Sequence, residues 1–201
     1  MTALLDVADL RRTALQPACF ALQRGECVAV HGPSGAGKTL LLRAIADLDP
    51  NEGEIFLDGH RRESMSGPQW RRQVGYLPAE PGWWADTVGE HFPDWAAARP
   101  LIEALGLPEE ARHWPLTRPS TGERLRLALV RALVVEPRVL LLDEPTAALD
   151  RLAVAAVETL IGSRVAAGLS VLWVTHDEAQ AARVARRFLH VEAGSVREAA
   201  A

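Results

Sequence analysis

Apolar positions cluster first in short runs, at 4–7, 19–22 and 27–31, with turn-forming residues between them. Such runs read as strands. After Gly37 the spacing changes: Leu41, Leu42, Ile45 and Leu48 recur at helical intervals within 38–48, the stripe of a helix that buries one face. A short strand closed by a turn fits 53–59, and another strand fits 74–77. From about 83 to 118 the chain is rich in Trp and Pro, with short helical patterns such as 101–105, stopped by Gly106 and Pro108. Beyond it the rhythm is regular: helix 121–135, strand 139–143, helix 151–167, strand 170–175, helix 177–185 and strand 188–192. The strands of this βαβαβ run are apolar enough to be covered on both faces. The pattern predicts an α/β fold: a core made of 1–82 and 119–201, interrupted by a small helical subdomain at about 83–118.

Composition narrows the picture. A chain of 201 residues fits one domain. The 22 basic and 26 acidic side chains give a net charge of −4, which argues against a protein that coats nucleic acid. No repeat or long low-complexity run is present. The most apolar stretch, 125–135, is broken by Arg126 and Arg131 and falls short of the roughly 20 residues that span a bilayer. Asp6 and Asp9 stand where a signal peptide carries bases. The expectation is a cytoplasmic protein that reaches a membrane only through a partner. Cys19 and Cys27 do not have zinc-site spacing and read as two small buried thiols. The Arg pairs at 61–62, 71–72 and 186–187 read as solvated surface, and the Ala-rich end at 198–201 as frayed.

Candidate chemistry begins at Gly32, Pro33, Ser34, Gly35, Ala36, Gly37, Lys38 and Thr39. This is G-x-x-x-x-G-K-[ST] between a predicted strand and a predicted helix. Its glycines let backbone N–H groups curl around phosphate oxygens, and the following helix, entered through Leu40, points its positive end at the anion. Lys38 is placed to reach the β- and γ-phosphates, and Thr39 to offer its hydroxyl to Mg²⁺.

A second group follows the strand at 139–143. Two carboxylates, Asp143 and Glu144, stand at its C-terminal end, where ligands gather in open parallel sheets. Asp143 is placed to hold Mg²⁺ through water, and Glu144 to act as general base toward an attacking water. His176 ends the next strand on the same edge and is placed to bind the γ-phosphate or orient the water. Thr175 and Glu178 have the spacing of a capping box. Ser120 and Glu123 have it too, so Ser120 begins the long helix with a positive, phosphate-binding end.

Together these motifs, with Pro119-Ser120-Thr121-Gly122-Glu123-Arg124-Leu125-Arg126, resemble the ATP-binding subunits of ABC transporters. Ser120, Gly122, Glu123 and Arg126 keep that family's signature, while Pro119 and Thr121 depart from it. Asp143, Glu144, Pro145 and Thr146, then Ala148, Leu149 and Asp150, are similar to its Walker B segment and D-loop, and His176 to its switch histidine. The resemblance implies a P-loop ATPase fold with an N-terminal antiparallel β portion. It implies ATP and Mg²⁺ as cofactors, and a second ATPase subunit, a homodimer, in which Ser120, Thr121, Gly122 and Glu123 bind the γ-phosphate held by the other copy. It also implies a membrane permease as partner and a place at the inner face of the membrane. Two other readings stand beside it: a soluble ATPase of this type, and a nucleotide-sensing module that hydrolyses weakly.

Two departures bear on mechanism. The family's Mg²⁺-touching Gln follows the strand at 74–77; here Ala79 stands there, followed by Glu80. The resemblance implies a metal position left to water. The family's adenine-stacking aromatic is replaced by Arg11 or Arg12, whose planar guanidinium can stack or simply be solvated. Five of the six Trp lie between 70 and 114. Trp83 and Trp84 fall where the family docks its permease; Trp95 and Trp114 read rather as core of the helical segment.

Overall fold

The computed structural model describes residues 3–199. Among these described residues, ten strands and six α-helices form two sheets and their covering helices. β1 (Leu5–Arg12), β2 (Leu15–Leu22), β4 (Glu52–Leu57) and the two-residue β5 (His60–Arg61) make an antiparallel sheet in the order β2-β1-β4-β5. The second sheet holds β3 (Cys27–His31), β6 (Val74–Leu77), β7 (Val139–Asp143), β8 (Ser170–Val174), β9 (Arg187–Glu192) and β10 (Ser195–Ala199). Its order is β10-β9-β3-β8-β7-β6, and every pairing is parallel except that of β10 with β9.

Alternation in the central strands explains why they read as continuously apolar. Val28 and Val30 of β3, Val139 and Leu141 of β7, and Leu172 and Val174 of β8 join one buried cluster. That cluster contains α1 (Lys38–Ile45) and the antiparallel sheet. The intervening residues, Cys27, Ala29, Leu140, Leu142, Val171 and Trp173, join the other cluster. It holds α3 (Trp95–Ala104), α4 (Thr121–Leu133) and α5 (Arg151–Ala166). Both faces of the sheet are dry, so a polar substitution in β7 or β8 has no solvated side to occupy.

Several expectations need correction. β1, β2 and β9 are longer than the apolar runs suggested, because their outward positions are polar. α2 (Gly67–Gln73) was missed; Trp70 is its only buried residue, too little to write a periodic stripe. β10 was missed because its exposed residues are polar; Glu198 and Ala199 close it, and the remaining alanines of the expected frayed end lie outside the described residues. The helical pattern at 101–105 is the end of α3, which begins at Trp95 under the Asp94 cap.

Thr175 does not cap the helix α6 (Glu178–Val184). Asp177 does, accepting from the Gln180 N–H, while Thr175 Oγ1 donates to Gln180 Oε1 at 2.8 Å. Arg62 is buried rather than solvated, bonded to Asn51 and Glu63, and Arg187 bridges Glu26 and Glu198. Cys19 is exposed; only Cys27 is a buried thiol, pushed up to about 12 by burial and then by Glu26.

Candidate active site

The loop 32–37 leaves the end of β3 and enters α1. A Cβ on Gly32 would stand 2.0 Å from the Val191 carbonyl oxygen, so no other residue fits beside β9. Gly37 caps α1 in the left-handed region at φ 111°, where a side chain is strained. The loop's residues Ser34, Gly35, Gly37, Lys38, Thr39 and Leu40, with Glu144 and His176, line a cavity of about 310 Å³.

Three parallel strands bring these groups together. β8 lies between β3 and β7, so the loops after all three strands leave one edge of the sheet. Asp143, buried at 3% exposure, accepts from Thr39 Oγ1 at 2.8 Å and from Tyr76 Oη at 3.2 Å. Burial and the Asp143 charge push the Tyr76 hydroxyl well above its usual range, so it remains a donor. Glu144 follows in the left-handed region at φ 52°, a conformation rare for a non-glycine residue and characteristic of functional sites. Its Oε1 is 2.5 Å from His176 Nε2. Lys38 Nζ donates to the carbonyls of Gly32 at 2.8 Å and Pro33 at 2.9 Å. Burial draws the Lys38 ammonium below the usual lysine range, against the opposing pull of Glu144 and Asp143.

Ser120, Thr121, Gly122 and Glu123 do not line this cavity. They form the start of α4 as expected from their spacing: Ser120 Oγ accepts from the Glu123 N–H, and Glu123 accepts from the Ser120 N–H at 2.8 Å. Gly122 packs against the Ala148 carbonyl, where an added Cβ would stand 3.0 Å from the oxygen. Ala79 and Glu80 are exposed. Arg11 pairs with Glu52, and Arg12 with Asp49, so both guanidinium groups are held by carboxylates. A second cavity, about 450 Å³, adjoins the phosphate loop at Gly35, Ala36 and Leu40; its other wall is Ala14, Leu15, Gln16 and 193–194, without an aromatic ring.

Sequence reasoning missed Tyr76 and Gln180. Tyr76 sits in β6, the parallel neighbour of β7, and only that pairing puts its hydroxyl on Asp143. Gln180 joins Thr146 Oγ1 at 3.0 Å, Thr175 and Glu158, tying the loop after β7 to the start of α6.

Residues 15–147 match the family model described as ABC transporter. An aliphatic sulfonates import ATP-binding protein of Pseudomonas savastanoi is 38% identical over 194 residues, covering 92% of this chain and 70% of that one. The chain belongs to the ABC transporter family. A phosphonates import ATP-binding protein of Trichormus variabilis is 34% identical, covering 94% of this chain and 86% of its own length. A solved ATP-binding subunit of an ABC transporter superposes with a TM-score of 0.87 at 30% identity, over 98% of this chain and 90% of that one. A dimeric ATP-binding cassette bound to ADP and Pi shares the fold, with a TM-score of 0.85 at 23% identity over 98% of both chains. This ABC subunit is thus an ATP-binding protein and an ATPase. Among the described residues no helix is long and apolar enough to cross a membrane.

Proposed function

We propose that the cavity between the phosphate loop and the Glu144–His176 pair is where ATP is hydrolysed, with the residues in the following roles. Gly32 through Leu40 cradle the phosphates, and Lys38 exchanges its two loop carbonyls for phosphate oxygens. Glu144 takes a proton from the attacking water, and His176 holds Glu144 and the γ-phosphate in register. The observation that carries this reading is the 2.5 Å contact between Glu144 and His176 on the wall facing Lys38.

Thr39 Oγ1 and Asp143 Oδ2 are 2.8 Å apart. These adjacent oxygens suit Mg²⁺: Thr39 would hold the ion directly and Asp143 through water. Bound there, Mg²⁺ would neutralise phosphate charge. Ala79 offers no ligand, and the remaining positions fall to water. Leu15, Gln16 and Leu40 form a shelf for the nucleobase. With no ring to stack on it, discrimination between ATP and GTP is weak.

The start of α4 is the other half of the site. Its capped N-terminus, at Ser120, Thr121, Gly122 and Glu123, does not reach this chain's own cavity. It meets the γ-phosphate held by a second copy, so two chains enclose two nucleotides. In this arrangement 1–82 and 119–201 act as the nucleotide-binding core and about 83–118 as the arm facing a membrane permease. Trp84, 72% exposed, supports that assignment, as does the loop built around it. Arg131 lies 4.6 Å from the Trp83 ring and 4.7 Å from Trp84. His91 Nε2 accepts from the N–H groups of Trp84 at 2.9 Å and Ala85 at 3.1 Å. Trp95 and Trp114 are buried and belong to the core. The import names of the relatives favour uptake of a small solute by a complex at the inner face of the membrane.

Light scattering of the Glu144→Gln variant tests the paired arrangement. With Mg-ATP its mass should double, and adding Ser120→Arg should prevent the doubling while the monomer still binds ATP. A Glu144→Gln chain that stays monomeric in saturating ATP contradicts the proposal.

A further inference from the structure

β3 and β9 run parallel, and His31 and His190 are direct partners in their register. The two imidazoles therefore leave the sheet on the same face. Their Nδ1 atoms are 3.5 Å apart and their ring centroids 4.8 Å apart. As a hydrogen bond between neutral rings, 3.5 Å is long and weak. As the bite of two ligands it fits: nitrogens at about 2.0–2.1 Å from one tetrahedral ion stand roughly 3.4 Å apart. Both rings open onto a cavity of about 510 Å³, which Pro33, His176, Glu178 and Phe188 also line. Phe188 stands edge-on to His31 at 6.2 Å and fixes its plane. On the far side of the other ring, the Glu192 carboxylate lies 3.8 Å from His190 Nε2, beyond hydrogen-bond reach, and adds only a nearby negative charge.

We propose that His31 and His190 form a two-imidazole site for a divalent transition cation of the zinc, nickel or copper class, completed by water from the cavity. Among the described residues no group of three or more His, Cys, Asp and Glu side chains surrounds a single metal position. Two protein ligands make a reversible site rather than a structural one. The bound ion cross-links β9 to the end of β3, one residue before the phosphate loop. Neither histidine has a role in the ATPase reading above, so the site stands or falls independently of it.

The test is a calorimetric titration of the untagged chain with zinc chloride, without nucleotide. The wild type should take up one zinc per chain at this site. His190→Gln should weaken binding by more than the roughly 10–100-fold that losing an outer partner costs, and His31→Gln should do the same. His176→Ala should leave it unchanged. Nitrogen NMR of the histidine rings in the wild type reads the site without any variant: zinc should move the Nδ1 signals of His31 and His190. No uptake by the wild type overturns the proposal. So does wild-type affinity in a folded His190→Gln or His31→Gln chain, or a zinc response confined to His176.

Discussion

His176 Nε2 stands 2.5 Å from Glu144 Oε1, although one residue follows β8 and the other follows β7. The contact exists because those strands are parallel neighbours. It orients a carboxylate whose backbone is already held in the left-handed region. Removing the imidazole frees Glu144 without disturbing the phosphate loop. For His176→Ala we predict a fall in kcat of about 10²-fold or more, typical of a disturbed general base, with little change in ATP affinity. Steady-state kinetics paired with nucleotide-binding titration reads the split, and an unchanged kcat would remove His176 from the mechanism.

Tyr76 donates to the same Asp143 oxygen as Thr39 does. Tyr76→Phe removes one bond to that carboxylate, a change of about 0.5–1.5 kcal/mol or somewhat more for a charged acceptor. The expected result is a few-fold rise in the Mg²⁺ concentration for half-maximal turnover, with an unaltered maximal rate at saturating Mg²⁺. Magnesium titration of the ATPase rate checks it. A proportional loss at every Mg²⁺ concentration argues for a role other than holding Asp143.

Asp49 predicts an acid limb of stability. Hydrogen bonds from Arg43, then Arg12, hold its carboxyl at about 2, below the ordinary value of 3.8. A carboxylate whose pKa is depressed by folding contributes stability above its unfolded value. That contribution is lost as pH falls through the folded value. Asp49→Asn should therefore cost on the order of 1–2 kcal/mol at neutral pH. It should also flatten the loss of stability between about pH 4 and pH 2. Denaturant melts across that range decide it; parallel curves for the two proteins would deny Asp49 the role.

Trp84 and His91 separate docking from folding. Trp84 is exposed, whereas buried His91 holds its loop. Trp84→Ala should leave the melting temperature and soluble ATPase activity within error while lowering co-purification with membrane proteins from the source cell. His91→Ala should lower both stability and co-purification. A drop in stability for Trp84→Ala would make it a packing residue.

Much of the candidate site is legible because its motifs are local. The phosphate loop, the capping box of Ser120 and Glu123, and the Asp143-Glu144 pair each fall within a few positions of one another. The apolar runs around them mark where strands end. What escaped depends on partners distant in sequence. Tyr76 reads as one more apolar strand residue until β6 is set beside β7. Thr175 reads as a cap because Gln180, which takes its hydroxyl, lies inside the first turn of α6. Arg62 and Arg187 read as surface because their carboxylate partners come from other elements. β10 and α2 bury too little to leave a pattern.

The most direct test of the account is turnover by the Glu144→Gln chain under saturating Mg-ATP, measured as phosphate release beside the wild type. The amide keeps the shape of the side chain and cannot take a proton from water. The account predicts that hydrolysis falls by about 10²-fold or more while ATP binding persists. Phosphate release at the wild-type rate would contradict the assignment of Glu144 as the base.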